Sequence, residues 1–439
     1  MIYQRDIKNM PATAEINTKG HLTVGGCDTC ELAEKYGTPL YIMDEETIRN
    51  NCRNYLEAFE KTMPGTRVIY ASKALSVLSI LQIIKEENLE LDVVSGGELF
   101  LAKQAGFPGE KIWFHGNNKQ EKELNEALEY NVGQYVVDNL YELDLLNRAA
   151  KKADKKVNIL FRITPGIEAH THEYIQTGQL DSKFGLPPDQ LISALQLAFE
   201  KKNVVFKGLH VHIGSQILET KPYSVLIEIL FDALQKIKQK LKIDVEILNL
   251  GGGLGINYIS KDNAPTPENL AQTIYNSLKF MAKETKLNIP KLAIEPGRSI
   301  VGNAGITLYQ VGATKELKGI RNFIFVDGGM ADNIRPALYN AEYDAVIANK
   351  IGEKKKEFVT IAGKFCESGD ILIKDLHLQH PDPKDFLAVL GTGAYNYSMA
   401  SNYNQALKAT MLLVGKGKAK EIVSRQIYED LIKGQTPLR

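Results

Sequence analysis

From residue 67 onward the chain repeats one pattern: a short apolar run rich in strand-forming residues, a glycine-rich or polar break, then a longer stretch with apolar residues at three- and four-residue steps. Eight runs have the first character: "RVIYAS" from Arg67, "ELDVVS" from Glu90, "KIWFHG" from Lys111, "QYVVD" from Gln134, "VNILFRI" from Val157, "FKGLHVHIG" from Phe206, "VEILNLGGG" from Val245 and "KLAIEPG" from Lys291. Helix-like segments such as "SVLSILQIIKEEN", "LYELDLLNRAAKKA" and "PENLAQTIYNSLKFMAKET" separate them. Alternating strands and helices build a parallel sheet, and eight of them predict closure into a TIM-type (β/α)8 barrel. An open doubly wound sheet is the competing arrangement.

After residue 300 the rhythm changes: "GITLYQVGATKEL", "NFIFVDGG", "EFVTIAG" and "DFLAVLGTGAY" are β-rich and joined by loops, which predicts a second, mostly antiparallel β domain. The expected division is a segment 1–36 that packs with the β domain, a barrel over 37–300 and the β domain over 301–439. The first segment holds a candidate strand at "GHLTVGG".

Reactive groups of such barrels gather at the C-terminal ends of the strands, so the strand exits are where chemistry is sought. Read in order, they carry Lys73, the "SGGE" of 95–98, His115, Asp138, Arg162, His212 followed by "GSQ", "GGGLG" over 251–255, and Glu295 followed by "PGR". A lysine closing an apolar strand ordinarily marks its emergence into solvent, and polar residues suit any barrel rim. The mixture says more. Closely spaced glycines after strand seven let backbone N–H groups approach an anion, and phosphate loops after strands seven and eight recur in barrels. A phosphate loop, a lysine, a carboxylate and a histidine at one mouth suit pyridoxal 5′-phosphate: the lysine forms the imine with its aldehyde, and the carboxylate keeps the pyridine nitrogen protonated. The histidine has two readings, a lid on the ring face or a satisfied structural residue.

Composition narrows the partners. The 439 residues are 44% hydrophobic and 24% charged, with 53 basic against 53 acidic side chains, so there is no electrostatic footprint for nucleic acid or an acidic membrane. No apolar stretch approaches the roughly 18 residues of a membrane span, and the start "MIYQRDIKNM" lacks a leader pattern, which leads to a cytoplasmic expectation with a small-molecule partner. Cys27, Cys30, Cys52 and Cys366 are too few for a disulfide scaffold, and "GGCDTC" lacks the second Cys/His pair that zinc requires, so no metal is expected. The runs "KKADKK" and "GEKKKE" read as solvated faces.

Together, "YASKAL", "HVHIGSQ", "NLGGGLG", "EPGR" and "CESGD" resemble the barrel-type pyridoxal-phosphate decarboxylases, which are similar in fold to alanine racemase and act on ornithine, arginine or diaminopimelate. "GIEAHTHEYIQTGQLDSKFG", "RPALY" and "GTGAY" resemble the diaminopimelate branch, and the likeness runs from about residue 35 to 425. The resemblance implies a carbon–carbon lyase that converts meso-2,6-diaminopimelate to L-lysine and CO2. Lys73 would be the imine-forming residue, and His212 would stack on the pyridine ring. Ser215, Gly252, Gly253 and Gly255 would surround the phosphate, Gly297 would also bind the cofactor, and Glu295 would bind the ring nitrogen. Arg298 would hold a substrate carboxylate with Arg335 and Tyr339, although relatives use the same arginine on the cofactor phosphate. Glu367 would meet the distal ammonium, and Tyr395 would reach both phosphate and substrate. Cys366 would be the proton donor, reaching the barrel mouth of the partner subunit in a homodimer with shared sites. The rivals are decarboxylases of ornithine, arginine or carboxynorspermidine type, and a non-catalytic pyridoxal-phosphate-binding homologue. A racemase of this fold would place an arginine where Glu295 stands.

Overall fold

A computed structural model of the protein describes residues 9–165 and 183–438, so nearly all of the "GIEAHTHEYIQTGQLDSKFG" segment lies outside the described residues. The chain divides into two compact units. One comprises 51–255 with 264–297, and the other 1–50, 256–263 and 298–439.

The first unit is a closed eight-stranded parallel barrel, which excludes the open sheet. Its strands are β1 (Arg67–Ala71), β2 (Glu90–Val93), β3 (Ile112–Phe114), β4 (Gln134–Val137), β5 (Val157–Arg162), β6 (Val204–His210), β7 (Ile247–Asn249) and β8 (Lys291–Ile294). All eight fall on the runs read from the sequence. Strands covered on both faces read as continuous apolar runs, and this is why they were legible. Closure is made by β8 against β1, with Ala293 opposite Arg67 and Ile294 opposite Val68. Ile69, Trp113, Val136, Leu160, Ile247 and Ala293 fill the interior as one apolar layer, so the barrel is a packed core and not a pore. The helices between strands bury one stripe each: Leu140–Lys152, capped by Asn139, buries Leu143, Leu146 and Ala150. Among the described residues no helix is long and apolar enough to cross a membrane.

The second unit is built on a mixed, mainly antiparallel sheet. Its path runs through Ile371–Leu378, Glu357–Ala362, Arg321–Val326, Gly305–Leu317, Leu40–Asp44, Thr410–Gly415 and Lys418–Val423. Phe386–Leu390 pairs with both Gly305–Leu317 and Ala345–Ile347. The boundary expected at residue 37 needs correction. Leu40–Asp44 is a central strand of this sheet, antiparallel to Gly305–Leu317 and parallel to Thr410–Gly415. Its "LYIMD" is buried at every position, and a strand covered on both faces carries no alternation that tells one sheet from another. The short excursion 256–263 also belongs here, because Ile256 and Tyr258 pack with Tyr309, Val311 and Ile324. Near the N-terminus, Leu22–Val24 forms a strand whose Leu22 and Val24 join a core with Ile306 and Leu412. Cys27 and Cys30 are buried in that same core, and burial pushes the Cys30 thiol up to about 12.

Candidate active site

Side chains on one face of a strand recur every second residue, so the position two beyond each interior residue points inward again, one level higher. Counting two from Trp113, Val136, Leu160, Ile247 and Ala293 gives His115, Asp138, Arg162, Asn249 and Glu295. Asp92, registered with Ala71 and Trp113, and His210, registered with Arg162 and Asn249, complete a polar layer above the apolar one. An apolar floor under a charged layer is the local cause of the site.

Glu295 is the hub of that layer. Its Oε1 accepts from Asn249 Nδ2 at 2.7 Å, its Oε2 lies 3.2 Å from His210 Nε2, and His115 Nε2 stands 3.0 Å from Oε1. His115 Nε2 is also 3.9 Å from Asp92 Oδ1. All four ionisable groups are buried. Burial would push the Glu295 carboxyl up, but the neighbouring His115 and His210 imidazoles outweigh it and hold it well below the usual carboxylate range. Glu295 is therefore a buried anion that accepts from Asn249 and meets His210 at hydrogen-bond distance, with the His115 ring close by as a third neighbour.

Lys73 is expected to close strand one, and the strand ends two residues before it. β1 closes at Ala71, and Ser72–Ala74 forms a single 3-10 turn that leaves Lys73 exposed. The turn is seated against the exit of β8: Ala71 N donates to the Pro296 carbonyl at 3.1 Å, and a Cβ on Gly297 would stand 3.0 Å from Ala71 Cβ and 3.2 Å from Ala74 Cβ. Gly297 thus brings the Lys73 turn and Glu295 close together. The Lys73 charge bears on Asp92, Glu98 and His212. His212 is partly buried, and desolvation followed by the Lys73 charge presses its imidazole well below the usual value. Its Nδ1 accepts from Gly252 N at 3.3 Å, which leaves the ring proton on Nε2.

The loops after β6 and β7 are zipped together by Ile217 N to the Gly253 carbonyl and Gly255 N to the Ile217 carbonyl, each at 2.9 Å. This changes the reading of the glycines. The N–H groups of Gly252 and Gly255 are committed within the protein, whereas Gly253 N has no acceptor among the described residues. Gly253 sits at φ +113°, and a Cβ there would lie 2.7 Å from the Gly214 carbonyl oxygen. Only glycine fits, and its backbone is left open to a ligand. Ser215 is exposed on the facing loop.

The remaining candidates belong to the second unit. Arg298 and Arg335 are both buried, and both guanidinium groups donate to the hydroxyl of Tyr258, Arg335 Nη1 at 3.2 Å. Their guanidinium carbons lie 4.8 and 5.8 Å from the Tyr395 ring centroid, and Tyr339 approaches Arg335 at 6.0 Å. Buried Arg335 Nε has no hydrogen-bond partner among the described residues. Tyr395 holds φ +62°, an uncommon conformation for a non-glycine residue that tends to mark functional sites. Two buried guanidinium groups that converge on one hydroxyl are chemically suited to an anion. Cys366 and Glu367 do not join this cluster. Cys366 is exposed with its N–H on Asn404 Oδ1 at 3.0 Å, and Glu367 bonds within its own turn. Buried Asp370 shapes that turn by accepting from Met330 N and Phe365 N at 2.6 and 2.9 Å.

Tyr258, Asp92, His210 and Asn249 are the members the sequence reading missed. Asn249 stands two residues after interior Ile247, and His210 two after Gly208, which is registered with Ile247, a parity signal that was available. Tyr258 gave none.

A family model described as "Pyridoxal-dependent decarboxylase, pyridoxal binding domain" matches residues 46–302. Diaminopimelate decarboxylase of Bacillus methanolicus is 49% identical over 416 residues, covering 94% of this chain and 96% of that protein. The Bacillus subtilis diaminopimelate decarboxylase is 47% identical over 429 residues, covering 97% and 98%. The crystal structure of diaminopimelate decarboxylase from M. jannaschii in co-complex with L-lysine superposes with a TM-score of 0.91 at 38% identity, covering 97% of this chain and 98% of that one.

Proposed function

The chain belongs to the diaminopimelate decarboxylase family of pyridoxal-dependent decarboxylases, and on that premise we propose that it converts meso-2,6-diaminopimelate to L-lysine and CO2 with pyridoxal 5′-phosphate as cofactor. The observation that carries the choice of substrate is the pair Arg298 and Arg335, buried and converging on one phenol. A decarboxylase whose product is a diamine needs no such receptor for a second carboxylate. Diaminopimelate leaves one carboxylate in place after reaction, and two planar guanidinium groups suit it.

The barrel mouth fits the cofactor on its own geometry: an exposed lysine on a fixed turn, a buried carboxylate anion beside it, and an open glycine N–H in the facing loop. Bound pyridoxal phosphate supplies a sink for the electron pair left behind when CO2 departs. Lys73 would hold the cofactor through its amine, and Glu295 would keep a proton at the ring nitrogen. His212, pressed to its neutral form, would lie against the ring without adding a competing charge. Gly253, with Ser215 and Tyr395, would take the phosphate, while Gly252, Gly255 and Gly297 keep the loops in place. Arg298, Arg335 and Tyr339 would hold the carboxylate that stays, and Glu367 the distal ammonium. Cys366 would return a proton to the carbon that lost its carboxyl group.

The exposure of Cys366 and Glu367, apart from the arginine cluster, supports delivery of both from a second copy of the chain. The functional unit would then be a homodimer with shared sites, acting in the cytoplasm on a small-molecule substrate. The test is to incubate the purified chain and pyridoxal phosphate with meso-diaminopimelate, L-ornithine, L-arginine and carboxynorspermidine separately, measuring CO2 and product. Lysine should appear from diaminopimelate alone. CO2 from ornithine or arginine instead would transfer the chain to a diamine-forming activity, and no CO2 from any would make it a cofactor-binding homologue.

A further inference from the structure

The buried polar layer contains an ionisable group that the proposed chemistry does not use. His115 projects from the exit of β3 between two carboxylates, its Nε2 3.0 Å from Glu295 Oε1 and 3.9 Å from Asp92 Oδ1, both being contacts of charge and not aligned hydrogen bonds. His210 projects from the exit of β6 toward the other oxygen of Glu295, and the two imidazole rings lie 4.8 Å apart at 72°. Two imidazolium ions at that separation in a buried layer would repel strongly, so at most one ring carries a charge near neutral pH.

We propose that His115 is the charged one, a positioning residue that, as an imidazolium lodged between Asp92 and Glu295, aims Glu295 and sets the charge balance that the cofactor's ring nitrogen meets. The proposal rests on the reading above that Glu295 faces that nitrogen.

The surroundings separate the two histidines. His115 lies between two carboxylates, whereas His210 has only Glu295 near it. Burial presses both imidazoles down; for His115 the charges of Asp92 and Glu295 more than offset this, whereas His210 falls to about 4. His210 then donates from Nε2 to Glu295 as a neutral ring, and its buried Nδ1 has no partner among the described residues. The other groups bearing on His115 are Arg162, which opposes its charge, and Asp138, with Arg162 and Asp138 offsetting one another. Burial pushes the Asp92 and Asp138 carboxyls up, and the cations beside them oppose this; with both ionised and Lys73 reserved for the cofactor, three carboxylates (Asp92, Asp138, Glu295) face two cations (His115, Arg162). The layer keeps one negative charge, which a protonated ring nitrogen would neutralise. A neutral His115 would leave two, a poorer balance for a buried site.

The first test is the side-chain nitrogen spectrum of the full chain, cofactor removed and histidines labelled with 15N, between pH 6 and 9. His115→Gln, or His115→Asn if the first variant folds poorly, assigns the signal. Both His115 nitrogens should stay protonated at pH 8 while His210 is neutral at pH 6; a neutral His115 at pH 7 overturns the proposal. The second test compares binding of pyridoxal phosphate with that of its analogue bearing C–H in place of the ring nitrogen. His115→Gln should reduce the preference for the natural cofactor by about tenfold, the equivalent of one pKa unit at Glu295. Equal weakening of both ligands would make His115 merely structural and overturn the proposal. Glu295→Gln is the control: it should abolish the preference, and an unchanged preference in that variant would sink the reading of Glu295 itself.

Discussion

Replacing Tyr258 with phenylalanine removes one oxygen from a cluster of two buried arginines and leaves everything else in place. The ring that lies 5.5 and 5.4 Å from the guanidinium carbons of Arg298 and Arg335 is retained, and so is its edge contact with Tyr343 at 5.1 Å. The loss is confined to the hydroxyl that accepts from both guanidinium groups. A hydrogen bond to a charged donor contributes about 1.5–3 kcal/mol net. If one arginine loses its orientation, carboxylate binding should weaken about tenfold; if both do, about a hundredfold, since each 1.4 kcal/mol is tenfold. In the proposed arrangement the arginines hold the carboxylate that does not react, so the effect should fall on KM for meso-diaminopimelate with kcat nearly unchanged. Steady-state lysine release, with cofactor affinity followed by absorbance, separates these quantities. A KM within twofold of wild type in a folded variant would refute the idea that Tyr258 aligns the arginines, and a fall in kcat at constant KM would place the hydroxyl in the chemistry instead.

Other consequences are equally direct. Lys73→Ala and Cys366→Ala should each be inactive alone, and mixing them should restore part of the activity through hybrid dimers; no recovery after proven subunit exchange would favour a site contained in one chain. Burial lifts the Asp332 carboxyl to about 7, so the folded chain keeps a proton that the unfolded chain sheds near pH 4. Its contribution to stability is full below about pH 4 and is lost as pH rises to about 7, on the order of a few kcal/mol. Asp332→Asn should therefore flatten the decline in urea midpoint between pH 5 and 8, and an unchanged slope would count against it. Lys119 and Glu142 form a buried pair at 2.7 Å, with Lys119 also donating to the Gly116 and Val136 carbonyls and Glu142 accepting from Asp138 N. Lys119→Met should cost about 3–5 kcal/mol, and adding Glu142→Leu should recover part of it; a double variant worse than the single would contradict this reading.

The barrel was legible because each of its strands is an apolar run ending in glycine or a polar residue, and both features follow from burial on two faces and an exit into loops. Lys73, His212 and Glu295 could be read from those exits. What governs Glu295 was less visible, since Asn249, His210 and His115 meet it only through barrel closure and register. Leu40–Asp44 was unreadable as a strand of the second sheet because its partners at Gly305–Leu317 and Thr410–Gly415 are remote in sequence. The same holds for Tyr258, which packs with residues more than forty positions later. The glycines of "NLGGGLG" were recognised as a loop built for close approach, but the division of labour among them needed coordinates. Three donate within the protein, and Gly253 is left open.

The claim on which the rest depends is that Lys73 carries the cofactor. Borohydride reduction of the pyridoxal-phosphate-loaded protein, followed by digestion and peptide mass mapping, addresses it directly. The account predicts one pyridoxyl group per chain, on the peptide containing "YASKAL" at Lys73, and none in Lys73→Ala. A pyridoxyl group on any other lysine of the wild-type chain would contradict it.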